Sequence, residues 1–259
     1  MTSRTEVLRG ILTGLDERYN HDKVSDTTEL ILLGKNIDDI SFLIDLPKLT
    51  RLDLGGNHIS DISVLGNLVE LVELDLCGNE VEDISSLQQL SNLTFLNLSS
   101  NKILDIEGFD HLRNLYYLNL SLNPISDISG LVGISNLRDL DLSRTKISHD
   151  LSPVREIETL RFLDIRHNNL TDITCLTGMP ALTSLLMSHN PVSNLSPLSS
   201  LGNLECLSIS IESVKDLTPI CDLKHLNTLL LLGNTSNLNL TPLHQMPNLT
   251  TFIVFPRID

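Results

Sequence analysis

A 22-residue period runs through this chain and leaves few folds open to it. One unit is spelled by Leu49, Leu52, Leu54, Asn57, Ile59, Asp61, Ile62, Leu65 and Leu68, and the next by Leu71, Leu74, Leu76, Asn79, Val81, Asp83, Ile84, Leu87 and Leu90. About ten such units follow one another over residues 27–259. A unit this short cannot bury its own leucines, so each must pack on its neighbours and the chain becomes a stacked solenoid without a single central core. Any function then lies on a surface.

The alternation in Leu52-Asp53-Leu54 has the period of a strand, with the leucines turned inward and the residue between them outward. Stacking one strand per unit gives a parallel sheet. The Asn that recurs after it (Asn57, Asn79, Asn101, Asn123, Asn168, Asn190, Asn234) is expected to satisfy backbone groups where the chain leaves the sheet. Asp39, Asp61, Asp83, Asp105, Asp127, Asp172 and Asp216 share another position, where a carboxylate can cap the turn that follows. That turn, Ile-x-Asp-Ile-x-x-Leu-x-x-Leu, has the three-residue spacing of a short 3₁₀ or irregular segment. In later units Pro153, Pro197, Pro219 and Pro242 follow a Ser or Thr there, with the hydroxyl expected at the cap and the proline opening the turn. The pattern breaks at Lys35, Thr145 and Glu212, which replace the Asn, and at one-residue insertions near His149 and Asn237.

These units resemble leucine-rich repeats, specifically the 22-residue class shared by the phosphatase-regulator leucine-rich-repeat proteins and the bacterial internalins; the Ser-Pro and Thr-Pro turns resemble internalin repeats in particular. The resemblance implies an α/β solenoid, the leucine-rich-repeat horseshoe with a parallel concave sheet and short 3₁₀ or irregular convex segments. It also implies a non-catalytic scaffold whose concave face captures a protein partner, with a phosphatase regulatory subunit as one alternative.

Residues 1–26 stand outside the repeat. Ser3 and Glu6 form a capping box, and Val7, Leu8, Ile11, Leu12 and Leu15 line one face, so residues 3–18 are expected to form an amphipathic helix covering the first repeat. The expected organisation is therefore an N-terminal helical cap, residues 1–26, on one solenoid domain, residues 27–259. No basic segment precedes an apolar run at the N-terminus and no stretch has the length of a membrane span, so the expected location is the cytoplasm, or outside the cell as an effector exported without a cleaved leader.

A formal net charge of −15 argues against phosphate backbones and anionic membranes as partners. Cys77, Cys175, Cys206 and Cys221 form no CxxC pair, which points to reduced thiols in preference to a zinc site or a disulfide framework. His167 and His189 face one another in adjacent repeats without a third ligand, so neither a metal nor any other cofactor is expected. No nucleophile and base can be read together and no phosphate loop follows a strand, so an enzyme is not expected either. Asn-x-Ser/Thr triplets such as those at Asn92, Asn169 and Asn248 arise largely from the repeat itself.

The informative positions are the outward columns of the strands. The middle repeats place Phe95, Tyr117 and Phe162 beside Asp53, Asp75, Asn97, Asn119, Asp141 and Asp164, with Asp139 adjacent and Arg166 at the margin. Aromatic anchors bordered by charge are what a protein-binding hot spot needs, and these residues are the candidate partner site. A second, apolar set turns outward in the last repeats: Leu186, Leu230, Leu232, Ile253 and Phe255. It suits a partner, a homodimer contact, or a cover formed by residues 256–259.

Overall fold

The computed structural model describes residues 25–236 and 238–256; the helix expected over residues 3–18 lies outside the described residues. Eleven parallel strands form one sheet in strict chain order, from β1 (Glu29–Ile31) to β11 (Thr251–Phe255). The α/β solenoid implied by the resemblance is the observed fold: a leucine-rich-repeat horseshoe with a parallel concave sheet and short 3₁₀ turns on its convex side. One of those turns, Ser152–Arg155, closes into a single turn of α-helix.

Register follows the period. Leu52 pairs with Leu74, Leu74 with Leu96 and Leu96 with Leu118, so the inward leucines form continuous rows, fully buried. Convex residues such as Leu65, Leu87, Phe109 and Leu131 close the core from the other side. At about 1.5–3 kcal/mol for each buried aliphatic side chain, it is this shared burial that offsets the chain entropy of three-residue strands too short to persist alone.

The asparagine ladder stitches each repeat to the one before it. Asn123 Nδ2 donates to the carbonyls of Leu98 at 2.8 Å and Leu120 at 3.1 Å, and its Oδ1 accepts from the Ile103 N–H at 3.0 Å. Where the sequence substitutes Thr145, its hydroxyl lies 2.9 Å from Leu142 O and 2.8 Å from Asn168 Oδ1, two acceptors that share its one proton, so the ladder is repaired with fewer donors than an Asn supplies. Asn234 departs from the expected role: it is exposed, and its Oδ1 accepts from the Ser236 N–H at 2.8 Å, a local turn bond.

The acidic caps take their expected place. Asp61 Oδ1 accepts from the Ser63 N–H at 2.9 Å and Asp127 from Ser129 at 2.8 Å; Asp150, Asn194 and Asn239 do the same in other repeats. That bond, from the backbone N–H, holds the Asp61, Asp83 and Asp127 carboxyls below the usual carboxylate range, and the Thr hydroxyl bond does so at Asp172 and Asp216. The hydroxyls expected to cap the proline turns do not: Ser152, Ser196, Thr218 and Thr241 are the first residues inside those turns, and their backbone N–H groups are the ones capped.

Candidate functional site

Strands β3 (Glu73–Asp75), β4 (Phe95–Asn97), β5 (Tyr117–Asn119), β6 (Asp139–Asp141) and β7 (Phe162–Asp164) carry the central candidate residues. Phe95 pairs with Tyr117 across adjacent strands, and their rings stack with centroids 4.5 Å apart and planes 6° from parallel. The rings are half-buried, so one face of the pair is packed and another is open. Phe162 is not part of this stack: Asp139 occupies the same column on the strand between Tyr117 and Phe162.

The next column has a double character. Asp53, Asp75, Asn97, Asn119 and Asp141 each turn Oδ1 onto the backbone N–H two residues ahead, at 3.0, 2.8, 3.1, 2.9 and 2.8 Å. This bond explains why a short acceptor side chain recurs at the end of each strand, where the backbone begins to turn. It does not distinguish Asp from Asn, so the negative charge at Asp53, Asp75 and Asp141 is additional to what the fold requires. Asp75 also accepts, through Oδ2, from Asn97 Nδ2 at 3.0 Å.

Asp164 is different from its neighbours. It is only 1% exposed, and both its oxygens are taken by the Arg166 guanidinium, Nε lying 3.0 and 2.9 Å away. The Asp164 carboxylate is therefore closed to a partner, whereas the Arg166 side chain stays 43% exposed. Burial on the sheet pushes the Asp141 and Asp139 carboxyls above the usual carboxylate range. Burial likewise raises the Tyr117 phenol, to which the charges of Asp141, Asp75 and Asp139 add. Burial, and after it the neighbouring Asp75, push the Cys77 thiol up to about 12, leaving it neutral near pH 7.

Two features of this face were legible only in part. Glu29, Arg51 and Glu73 form a ladder across three strands, with Arg51 Nη1 3.0 Å from Glu29 and Nε 3.1 Å from Glu73; the alternating signs in that column were the available signal. Tyr116, beside the strand, is exposed and lies under the Arg138 guanidinium at 5.8 Å, a contact that strand parity does not reveal. A shallow hollow bounded by Arg51, Glu73, Asp53, Asp75 and Phe95 opens at the N-terminal side of the stacked rings.

His167 and His189 stack at 3.9 Å, and no cluster of three or more His, Cys, Asp or Glu that could hold a metal forms among the described residues. The C-terminal apolar set divides. Leu230 and Leu232 pair in register with Ile253 and Phe255, whereas buried Ser208 separates Leu186 from them. Every residue of β11 is exposed, including Phe252 at 42% and Val254 at 36%, which parity places on the core side. No further unit packs on them among the described residues. No helix among these residues is long and apolar enough to cross a membrane.

A family model described as Leucine Rich repeats (2 copies) matches residues 69–111 and 158–200, and a second, Leucine Rich repeat, matches residues 45–65 and 111–131. No curated protein matches the chain. Among solved structures, an internalin (inlF) of Listeria monocytogenes shares 27% identity with a TM-score of 0.67, covering 98% of this chain and 89% of its own. Internalin C2 of the same species shares 26% with a TM-score of 0.64, covering 87% and 92% respectively. A leucine-rich-repeat protein of Leptospira interrogans, at 24% identity and TM-score 0.68 over 89% of this chain and 68% of its own, shares the fold. With the ladder, the parallel sheet and the 3₁₀ turns in place, the chain belongs to the leucine-rich-repeat proteins of the 22-residue class, and its repeats are internalin-like.

Proposed function

We propose that the protein is a non-catalytic binding scaffold that captures a protein partner on its concave face, with Phe95 and Tyr117 as the anchor. The observation that carries this reading is the stacked, half-buried ring pair, bordered on the adjacent strands by Glu73 and Asp75 on one side and Asp139 and Asp141 on the other. Pre-stacked rings lose little conformational freedom on binding and offer area that can be desolvated, the two properties of an interface hot spot. Asp53, Asp75, Asn97, Asn119, Asp139 and Asp141 form the polar border of this surface and Phe162 an outlying contact. Four unpaired, half-buried thiols fit a reducing compartment, the cytosol.

The test is affinity capture from the source cells with wild-type protein and with the Phe95→Ala, Tyr117→Ala, Phe162→Ala variant, both shown to be folded by circular dichroism. The expected outcome is a partner bound about 30-fold more weakly by the variant, the loss of roughly one hot-spot residue's 2 kcal/mol. Equal recovery of the same partner would remove these rings from the site.

A second reading, self-association, is favoured by one observation: among the described residues β11 is the last strand of the sheet, with all five of its residues exposed, four of them apolar. An unprotected edge of this kind pairs readily with another strand. Light scattering should then show a dimer for the wild type and a monomer for Phe255→Asp; a monomer in both sinks the idea.

A further inference from the structure

The acidic stripe on the concave face is ion-paired at its two ends and, among the described residues, has no ion pair in its middle. At the N-terminal end Arg51 bridges Glu29 and Glu73, and at the other end Arg166 clamps Asp164. Between them Asp75, Asp139 and Asp141 make no ion pair among the described residues. Asp53 lies in the same state, in register with Asp75, so two carboxylates face one another across adjacent strands. Like charges placed so are unfavourable in the free protein, and Asn would make the same turn bond, as Asn97 and Asn119 do. A solvated sheet face needs no such arrangement.

Acids without an ion pair flank the stacked rings on both sides. Asp75 on β3 pairs with Asn97, while Phe95 itself pairs with the Arg51-bound Glu73; Asp139 and Asp141 on β6 pair with Tyr117 and Asn119. Three strand spacings, about 14 Å, separate the two acidic borders. In an extended peptide, residues i, i+2 and i+4 point to one side, and the outer two lie about 13 Å apart. The dimensions match. Arg51, seated between two carboxylates of its own sheet, shows that this face accepts a guanidinium.

We propose that β3 to β6 form a receptor for an extended segment of the partner protein that carries two Lys or Arg side chains four residues apart with an apolar side chain midway. The basic groups meet Asp75 on one border and Asp139 with Asp141 on the other, and the apolar group rests on the Phe95–Tyr117 pair, whose faces also attract the flanking cations. Lysine or arginine would relieve the repulsion among carboxylates that the fold leaves unpaired, so charge supplies specificity and the rings supply area. This inference rests on the concave-face reading and adds to it the chemistry of the partner.

The experiment is an amide NMR titration of the full chain with two synthetic pentapeptides capped at both ends, Arg-Ser-Phe-Ser-Arg and Glu-Ser-Phe-Ser-Glu. The expected result is saturable shifts confined to β3–β6 with the basic peptide, none with the acidic one, and binding at least ten-fold weaker in the Asp75→Asn, Asp141→Asn variant. Both substitutions keep the acceptor that the turn bond uses, and Asp75→Asn gives up only the part-buried contact with Asn97 Nδ2; circular dichroism checks that the variant is folded. Equal shifts on β3–β6 from both peptides would overturn the charge assignment and leave the concave-face reading standing. Absence of binding by the basic peptide, or shifts elsewhere, overturns the inference, and the alanine variant's partner capture then decides the concave-face reading separately.

Discussion

Replacing Asn123 with alanine is expected to destabilise the protein by about 4 kcal/mol, whereas the same change at Asn101 costs about 2 kcal/mol, because they leave different numbers of buried groups unpaired at about 1–3 kcal/mol each. In the regular ladder every bridging carbonyl is shared by two asparagines: Leu98 O accepts from both Asn101, at 3.0 Å, and Asn123, at 2.8 Å. Removing Asn101 therefore leaves Leu98 O with Asn123 and Leu76 O with Asn79, and orphans only the Val81 N–H. Removing Asn123 orphans the Ile103 N–H and also Leu120 O, because the next rung is Thr145, whose hydroxyl reaches Leu142 and Asn168 instead. Urea unfolding of the two variants compared with wild type measures the difference. Equal losses would mean that the Thr145 rung rearranges to serve Leu120.

Gly130→Ala is expected to cost about 3 kcal/mol, the upper range for forcing an extra methyl into a packed site. A Cβ at Gly130 would sit 2.1 Å from the carbonyl oxygen of Ile106 and 2.7 Å from its carbon, both backbone atoms of the preceding repeat, so no side-chain rotation relieves the clash. The convex turn Ser129–Leu131 would have to move away from its neighbour. In a solenoid, stability is a sum of units and the interfaces between adjacent ones, so a wedge here weakens the coupling between the two halves of the stack. Two separate unfolding transitions in place of one are the expected signature in a denaturant titration. Gly202→Ala is the matched control: a Cβ there meets nothing within 4 Å, and its effect should stay within about 0.5 kcal/mol. If Gly130→Ala unfolds like that control, the close approach of these two repeats is not obligatory.

Both predictions depend on how one repeat meets the next, and the candidate site depends on the same thing. Strand parity correctly assigns Asp53, Asp75 and Asp141 to the outward face, but parity gives direction and not depth. Asp164 has the same parity and is buried, because Arg166, two residues on, folds over it. Phe162 has the parity of Phe95 and Tyr117 but not their contact, because lateral neighbours are chosen by register and Asp139 lies between. Phe252 and Val254 have the parity of Leu229 and Leu231, yet they are exposed where those leucines are fully buried, since burial requires a unit on each side.

The sequence by itself determined the solenoid, its parallel sheet, the ladder through Asn123, and the acid caps that open the convex turns. Each of those follows from a pattern that recurs within a single 22-residue unit, so local chemistry repeated often enough is sufficient to specify it. Which rings stack and how the Thr145 rung is repaired came only with the folded stack, because these depend on side chains about 22 residues apart that meet when neighbouring repeats pack; the closing of Asp164 by Arg166, two residues away, depends on how the side chain folds back over the sheet. The concave surface is thus written in the variable columns of the repeat, but its electrostatics come into being only when neighbouring repeats are laid side by side.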